Sequence, residues 1–249
     1  MIDIQNKPAI EYLSTLPSDH IDLIIIDPPY ITTSEKWDKR EQVNDTLVNE
    51  LYRVAKDNCS IYVWCGIGEK SQSLIRWFPI FNNVFYFKDL ITWKKQRGIG
   101  MRKGWLYTRE EIMWFVKNNK QFIWNKEHQY SDQKRVWTAH YADKERREKY
   151  LKNLSDYKRY TNVWEDIRET NISWNKKDRK TFHFTPKPNK AITRIVQLHT
   201  KENDNVLDCF LGSGTTAIVC KEMNRNFYGC DVNITYTTKV QEYIDSKIL

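Results

Sequence analysis

Residues 21–27 read IDLIIID. The apolar run from Leu23 to Ile26 leaves no polar face for solvent, the mark of a strand covered on both sides. Such a strand needs helices above and below it, which restricts the chain to an α/β architecture. A second stretch supplies the connectivity. NVLDCF at 205–210, a glycine turn, TTAIVCKEM at 215–223 and RNFYGCDV at 225–232 form a strand–helix–strand unit. Its parallel sheet is expected to continue into the N-terminal strands. Only residues 215–249 follow the turn, so the rest of the sheet is expected from earlier in the chain.

Apolar spacing predicts helices over 8–16, 45–56, near 69–77 and over 191–200, where Ile192, Ile195, Val196 and His199 recur at helical intervals. Residues 59–66 and 83–95 read as strands, and 109–118 as a strand in its second half. Residues 31–44 are polar and read as a loop. The 249 residues suit one large domain carrying an insertion. Net charge is +8, and residues 117–180 hold nearly all of it, with 17 Lys plus Arg against 10 Asp plus Glu. That segment also carries Trp124, Trp137, Trp164 and Trp174. Basic residues interleaved with aromatics suit phosphate contact and base stacking. The five cysteines contain no C-x-x-C pair, so neither zinc nor a disulfide framework is expected, and no metal site is assigned. No long apolar run is present, and the protein is expected in the cytoplasm of a bacterium or encoded by a phage, with no membrane partner.

The turn VLDCFLGSGTTA, 206–217, narrows the ligand. Gly212-x-Gly214-x-x-Ala217, with Asp231 nineteen residues beyond Gly212, fits a dinucleotide fingerprint. Asp208, Cys209, Phe210 and Leu211, however, separate the strand from the first glycine, and an acid there repels a pyrophosphate. It suits a ligand with an ammonium or sulfonium, and S-adenosyl-L-methionine has both. Thr215 and Thr216 are placed to cap the helix.

DPPY at 27–30 joins this loop to a family. The chain resembles the amino-group DNA methyltransferases, adenine-N6 or cytosine-N4, in which the catalytic motif precedes the cofactor motif (the beta arrangement). DLIIIDPPY resembles the catalytic motif, and ITWKKQRGIGMRKGWLYTREEIMWFVK the W-x-K…E-x-I segment. FHFTPKP resembles the H-P-T-Q-K-P box, and VLDCFLGSGTTAIVCKEMNRNFYGCDVN the cofactor loop with its ribose acid. Two departures stand out: Lys7-Pro8 where the family has Gly-Asp, and Pro186 in place of Gln. The resemblance implies a circularly ordered, Rossmann-like α/β methyltransferase fold with a seven-stranded mixed sheet. Residues 1–117 and 181–249 would form the catalytic domain and 118–180 an inserted target-recognition region. It further implies that Lys187 meets the cofactor carboxylate.

The chemistry of DPPY follows from the substrate. An exocyclic amino nitrogen is a poor nucleophile because its lone pair is delocalised into the ring. The Asp27 carboxylate and the Pro28 carbonyl can each accept one N–H, favouring the pyramidal nitrogen that attacks the sulfonium methyl in line. Pro28 and Pro29 fix φ and stiffen that acceptor pair, and Tyr30 can stack on a base flipped from the duplex. The expected cofactor set is Asp208, Phe210, Gly212, Gly214, Thr215, Asp231, Lys187 and Asp27. The expected DNA contacts are Lys36, Trp37, Lys39 and Arg40 in the loop, with Arg97, Arg102 and Lys103 in a second basic stretch. The expected reaction is adenine-N6 methylation of double-stranded DNA, because the family more often has serine in place of Asp27 for cytosine-N4. The alternatives are cytosine-N4 transfer on the same scaffold and a non-catalytic DNA-binding subunit. A homodimer and a cognate restriction endonuclease are further candidate partners.

Overall fold

The computed structural model describes residues 1–32, 41–99, 103–134, 155–169 and 186–246. Ten strands and six helices are found among them: β1 (Ile2–Gln5), α1 (Ala9–Thr15), β2 (Ile21–Ile26), α2 (Asp45–Val54), β3 (Ala55–Cys65), α3 (Ser73–Asn82), β4 (Tyr86–Ile99), β5 (Tyr107–Val116), β6 (Tyr130–Lys134), β7 (Tyr157–Arg159), β8 (Val163–Trp164), α4 (Asn189–His199), β9 (Asn205–Asp208), α5 (Thr215–Glu222), β10 (Asn226–Cys230) and α6 (Ile234–Ser246).

Eight strands form one sheet in the order β1-β10-β9-β2-β3-β5-β4-β8, while β6 and β7 pair separately. The five strands from β1 to β3 are mutually parallel, and β5 is antiparallel to both β3 and β4. Seven of the eight are the expected mixed sheet. The eighth, β8, is a two-residue strand from within 118–180 that pairs beside Thr92 and Trp93 of β4. The circular order is explicit: β9, late in the chain, lies directly against β2.

Strand β2 shows why this sheet must be covered twice. Ile24 and Ile26 point into a core shared with α1, α2 and α3, and Leu23 and Ile25 into one shared with α4, α5 and α6. All six residues of β2 are buried. Its one acid, Asp22, is held by Lys56 Nζ at 2.8 Å and the Asn205 amide at 3.0 Å. Helix α2 begins where Asn44 accepts the Leu47 amide, an N-cap bond of 2.9 Å.

The structure corrects the sequence in several places. The helix expected near 69–77 runs from Ser73 to Asn82 and contains Pro79, while Gln72 before it is left-handed at φ 46°. Residues 107–116 are strand throughout. Strand β1 and helix α6 were not foreseen. The short strand β1 gains its place from β10, by pairing Ile2 with Phe227 through Gln5 with Cys230. Cys59, Cys65, Cys209, Cys220 and Cys230 are all buried free thiols. Among the described residues no helix is long and apolar enough to cross a membrane.

Candidate active site

Three acids follow the carboxyl ends of three neighbouring strands. Asp27 comes one residue after β2, Asp208 closes β9 and Asp231 comes one residue after β10. Open α/β sheets bind ligands at that edge. A cavity of about 380 Å³ opens there, lined by all three acids and by Pro28, Pro29, Tyr30, Lys187, Phe210, Gly212 and Thr215. The sequence-predicted catalytic residues and all but one of the cofactor residues therefore share one space.

Asp27 is held at both oxygens. Tyr30 Oη donates to Oδ1 at 2.8 Å, and Lys187 Nζ lies 2.6 Å from Oδ2. The ammonium also sits 5.6 Å from the Tyr30 ring centroid. Glu110 on β5 approaches Lys187 Nζ at 3.4 Å, and its other oxygen takes Lys95 of β4. Burial works against the Lys187 ammonium, but Asp27 and Glu110 outweigh it and raise its pKa. Burial likewise works against the Glu110 carboxylate, and Lys187 and Lys95 outweigh it and lower its pKa. Burial, with the Asp27 and Glu110 charges, keeps the Tyr30 hydroxyl protonated and donating.

Asp208 has a different environment. Thr216 Oγ1 donates to Oδ2 at 2.8 Å and the Phe210 amide to Oδ1 at 3.1 Å. No basic side chain among the described residues forms an ion pair with it, and burial raises its pKa to about 7. Asp231 accepts the Gly212 amide at 3.0 Å and the Asn233 amide at 2.8 Å, and burial raises its pKa too.

The loop departs from its sequence reading in two details. Gly214, at φ +74°, does not line the cavity; a Cβ there would meet Val240 of α6 at 2.5 Å. Its role is to let α6 close behind the loop. Nor do the threonines cap α5, whose N-cap has no side-chain bond. Thr216 is turned to Asp208, and Thr215 Oγ1 donates to the Lys187 carbonyl at 3.2 Å, tying the lysine segment to the glycine loop. Glu110, Lys7 and Trp64 line the cavity without having been assigned a role, and Thr216, expected as a cap, lines it too. The Trp64 indole N–H is buried with no hydrogen-bond partner among the described residues. Glu110 had a signal, since it falls in the E-x-I match; Trp64 lay within an apolar strand and had none.

Of the expected DNA contacts, Lys36, Trp37, Lys39, Arg40 and Arg102 lie outside the described residues, as does the side chain of Arg97. Lys103 is exposed between β4 and β5.

Comparison with known proteins decides the family. The sequence profile of the N6/N4 DNA methylases matches residues 21–242. The chain belongs to that family. It is 32% identical over 249 residues to the type II methyltransferase M.HpaI of Haemophilus parainfluenzae, covering 96% of this chain and 73% of the relative. The M1.HpyAVI–SAM complex shares the fold with a TM-score of 0.63 at 23% identity, over 98% of this chain and 100% of that one. The PvuII cytosine-N4-specific DNA methyltransferase does so with a TM-score of 0.67 at 15% identity, over 98% and 90%. The methyl donor of this DNA methylase is S-adenosylmethionine.

Proposed function

We propose that this DNA methyltransferase modifies the exocyclic N6 amino group of adenine in double-stranded DNA. The observation that carries the proposal is the placement of Asp27: a carboxylate oriented by Tyr30 and Lys187 in a cavity that the Asp208 carboxylate also lines.

The donor set fits S-adenosylmethionine. Asp208 is a buried acid without a cationic partner among the described residues, so a positively charged ligand supplies what its surroundings lack. Asp231, a lining residue fixed by two backbone amides, suits ribose hydroxyls, and Lys187 suits a carboxylate. Phe210, Gly212 and Thr215 complete the lining. The bound cofactor supplies an electrophilic methyl group on a charged sulfur. The chain's own contribution is positioning and electrostatics. Asp27 and the Pro28 carbonyl accept the two amino hydrogens and turn the nitrogen lone pair toward the cavity, while Tyr30 offers its ring to the base. Holding the reactants in this way replaces a bimolecular encounter by a local one.

The segment 118–180 reads as the target-recognition region, given its charge and the pairing of its strand β8 with β4. The type II names of the relatives favour a cognate restriction endonuclease as partner. A second reading, cytosine-N4 transfer, has support in the fold shared with the PvuII enzyme. Mass spectrometry of nucleosides from mixed-sequence duplex DNA, after incubation with labelled S-adenosylmethionine, separates the two. N6-methyladenine is the expected product; N4-methylcytosine would overturn the base assignment, and no label in either base, with Asp27→Ala equally blank, would remove the activity.

A further inference from the structure

Strands β4 and β5 form a hairpin that outruns the sheet. Cys65, the last residue of β3, pairs with Glu111, so β5 residues 107–110 extend past β3 at the edge where Asp27 lies. At the far end Trp105 is 93% exposed, Leu106 62% and Tyr107 40%. Gly104 takes φ +110°, and no atom of the described residues lies within 4 Å of where its Cβ would be. Lys103 is exposed beside it.

We propose that Trp105 is a wedge that enters the base stack of duplex DNA beside the nucleotide drawn into the cavity. The inference rests on methyl transfer to DNA as proposed above and adds the device that opens the duplex. Glu110 lines the cavity, and Trp105 precedes it by five positions, just before β5 begins at Tyr107, so the chain between them spans at most roughly 16 Å at about 3.3 Å per residue. The hairpin thus rises from the catalytic edge toward the duplex. A two-stranded ribbon fits a major groove about 12 Å wide. Extruding a base costs a few kcal/mol of unstacking, and an indole, with a face for any base, restores stacking where the base has left. Trp105, 93% exposed, adds nothing to the buried core, so folding does not account for an indole there.

The test compares the native protein, Trp105→Ala and Trp105→Phe, each loaded with S-adenosylmethionine, on a duplex with one mapped target site and on the same duplex with the target base mismatched. Trp105→Ala is expected to bind the intact duplex roughly 10- to 100-fold more weakly and to recover most of that on the mismatch, where unstacking is already paid. Trp105→Phe restores stacking on the intact duplex but loses the part of the DNA-induced tryptophan quench that residue 105 contributes. Native-like binding by Trp105→Ala, or equal loss on both duplexes, overturns the wedge. Loss of self-association with DNA binding intact also overturns it and makes the hairpin a dimer contact. If the native protein methylates no DNA, the proposed function fails by itself, and quenching of Trp105 by mixed-sequence duplex still reads the wedge.

Discussion

Lys187 Nζ stands 2.6 Å from Asp27 Oδ2, and the same ammonium is 3.4 Å from Glu110 Oε2. With Lys95 on the other side of Glu110, two acids and two lysines alternate from β2 across to β4. At 3.4 Å the Glu110 contact is an ion pair rather than a hydrogen bond, and Oε2 has no hydrogen-bond donor among the described residues. Glu110 thus pulls Lys187 away from Asp27 as Asp27 pulls it in. The lysine is held between two charges, near enough to orient Asp27 without the full strength of a single buried pair.

Removing one of those charges is expected to upset the balance. In Glu110→Gln, Lys187 answers to Asp27 alone and Lys95 loses its partner. A charge-assisted contact contributes about 1.5–3 kcal/mol, so single-turnover methyl transfer should fall roughly 10- to 100-fold. Cofactor binding and the thermal melt should change far less. A variant that transfers methyl at the native rate would show that Glu110 only balances charge.

Much of this arrangement was legible in the sequence, and what was not has a physical cause. The run Leu23–Ile26 announced a doubly covered strand because burial on both faces removes polar alternation, and the acids at 27, 208 and 231 each follow a recognisable strand. Strand β1 escaped because four residues have too short a pattern, and their order comes from pairing with β10. The Glu110–Lys187 contact joins residues 77 positions apart, and no local periodicity records it. Thr216 looked like a cap because a threonine at a helix start usually is one; the buried Asp208 carboxylate competes better for its hydroxyl.

With Asp208 as the proposed partner of the cofactor's positive charge, cofactor binding is expected to depend on pH. Its pKa is raised from 3.8 to about 7, so the fold prefers the protonated acid. That contribution to stability is complete below about pH 4 and is lost as pH rises through about 7. A cationic ligand prefers the carboxylate and reverses the preference. Affinity for S-adenosylmethionine should therefore weaken as pH falls below about 7, approaching tenfold per unit. Asp208→Asn should bind more weakly and lose this component, which titration calorimetry across the range would reveal. Parallel profiles for the two proteins would rule out the assignment.

His199 predicts a separate acid sensitivity in the core. Its Nδ1–H donates to the Ile123 carbonyl at 2.7 Å, so Nε2 accepts from Tyr62 Oη at 2.6 Å. Burial lowers its pKa from 6.5 to about 4. Here the stability is present above pH 6.5 and is lost as pH falls through about 4, in all roughly 3 kcal/mol. Urea midpoints should drop over that window in the native protein. In His199→Gln the decline should be shallower, from a lower starting stability.

Arg194 ties residues 160–166 of the basic segment to helix α4. It rises from α4, the helix that begins two residues after Lys187, and its side chain is 3% exposed. Nη2 lies 2.5 Å from Asp166 Oδ2, and the guanidinium stacks 3.7 Å over the Tyr160 ring and 5.0 Å from that of Trp164. Nearby, the Trp93 indole donates to the Ile167 carbonyl at 2.9 Å. Residues 160–167 are thus pinned to the helix that follows Lys187 and to strand β4. Breaking a buried pair by removing one partner costs about 3–5 kcal/mol, because the other charge is left behind. Asp166 is 28% exposed and keeps Lys190 Nζ at 3.0 Å, so the loss is expected at or below the lower end of that range. Arg194→Met keeps the apolar part of the side chain and removes the charge and the planar stack. Hydrogen exchange should then rise in residues 157–167 while the protection of β2 and β9 persists. DNA binding should weaken more than cofactor binding, since the cavity keeps its walls and the segment proposed to read the target loses its anchor. Equal losses in both would mean that Arg194 supports α4 as a whole and not the segment it touches.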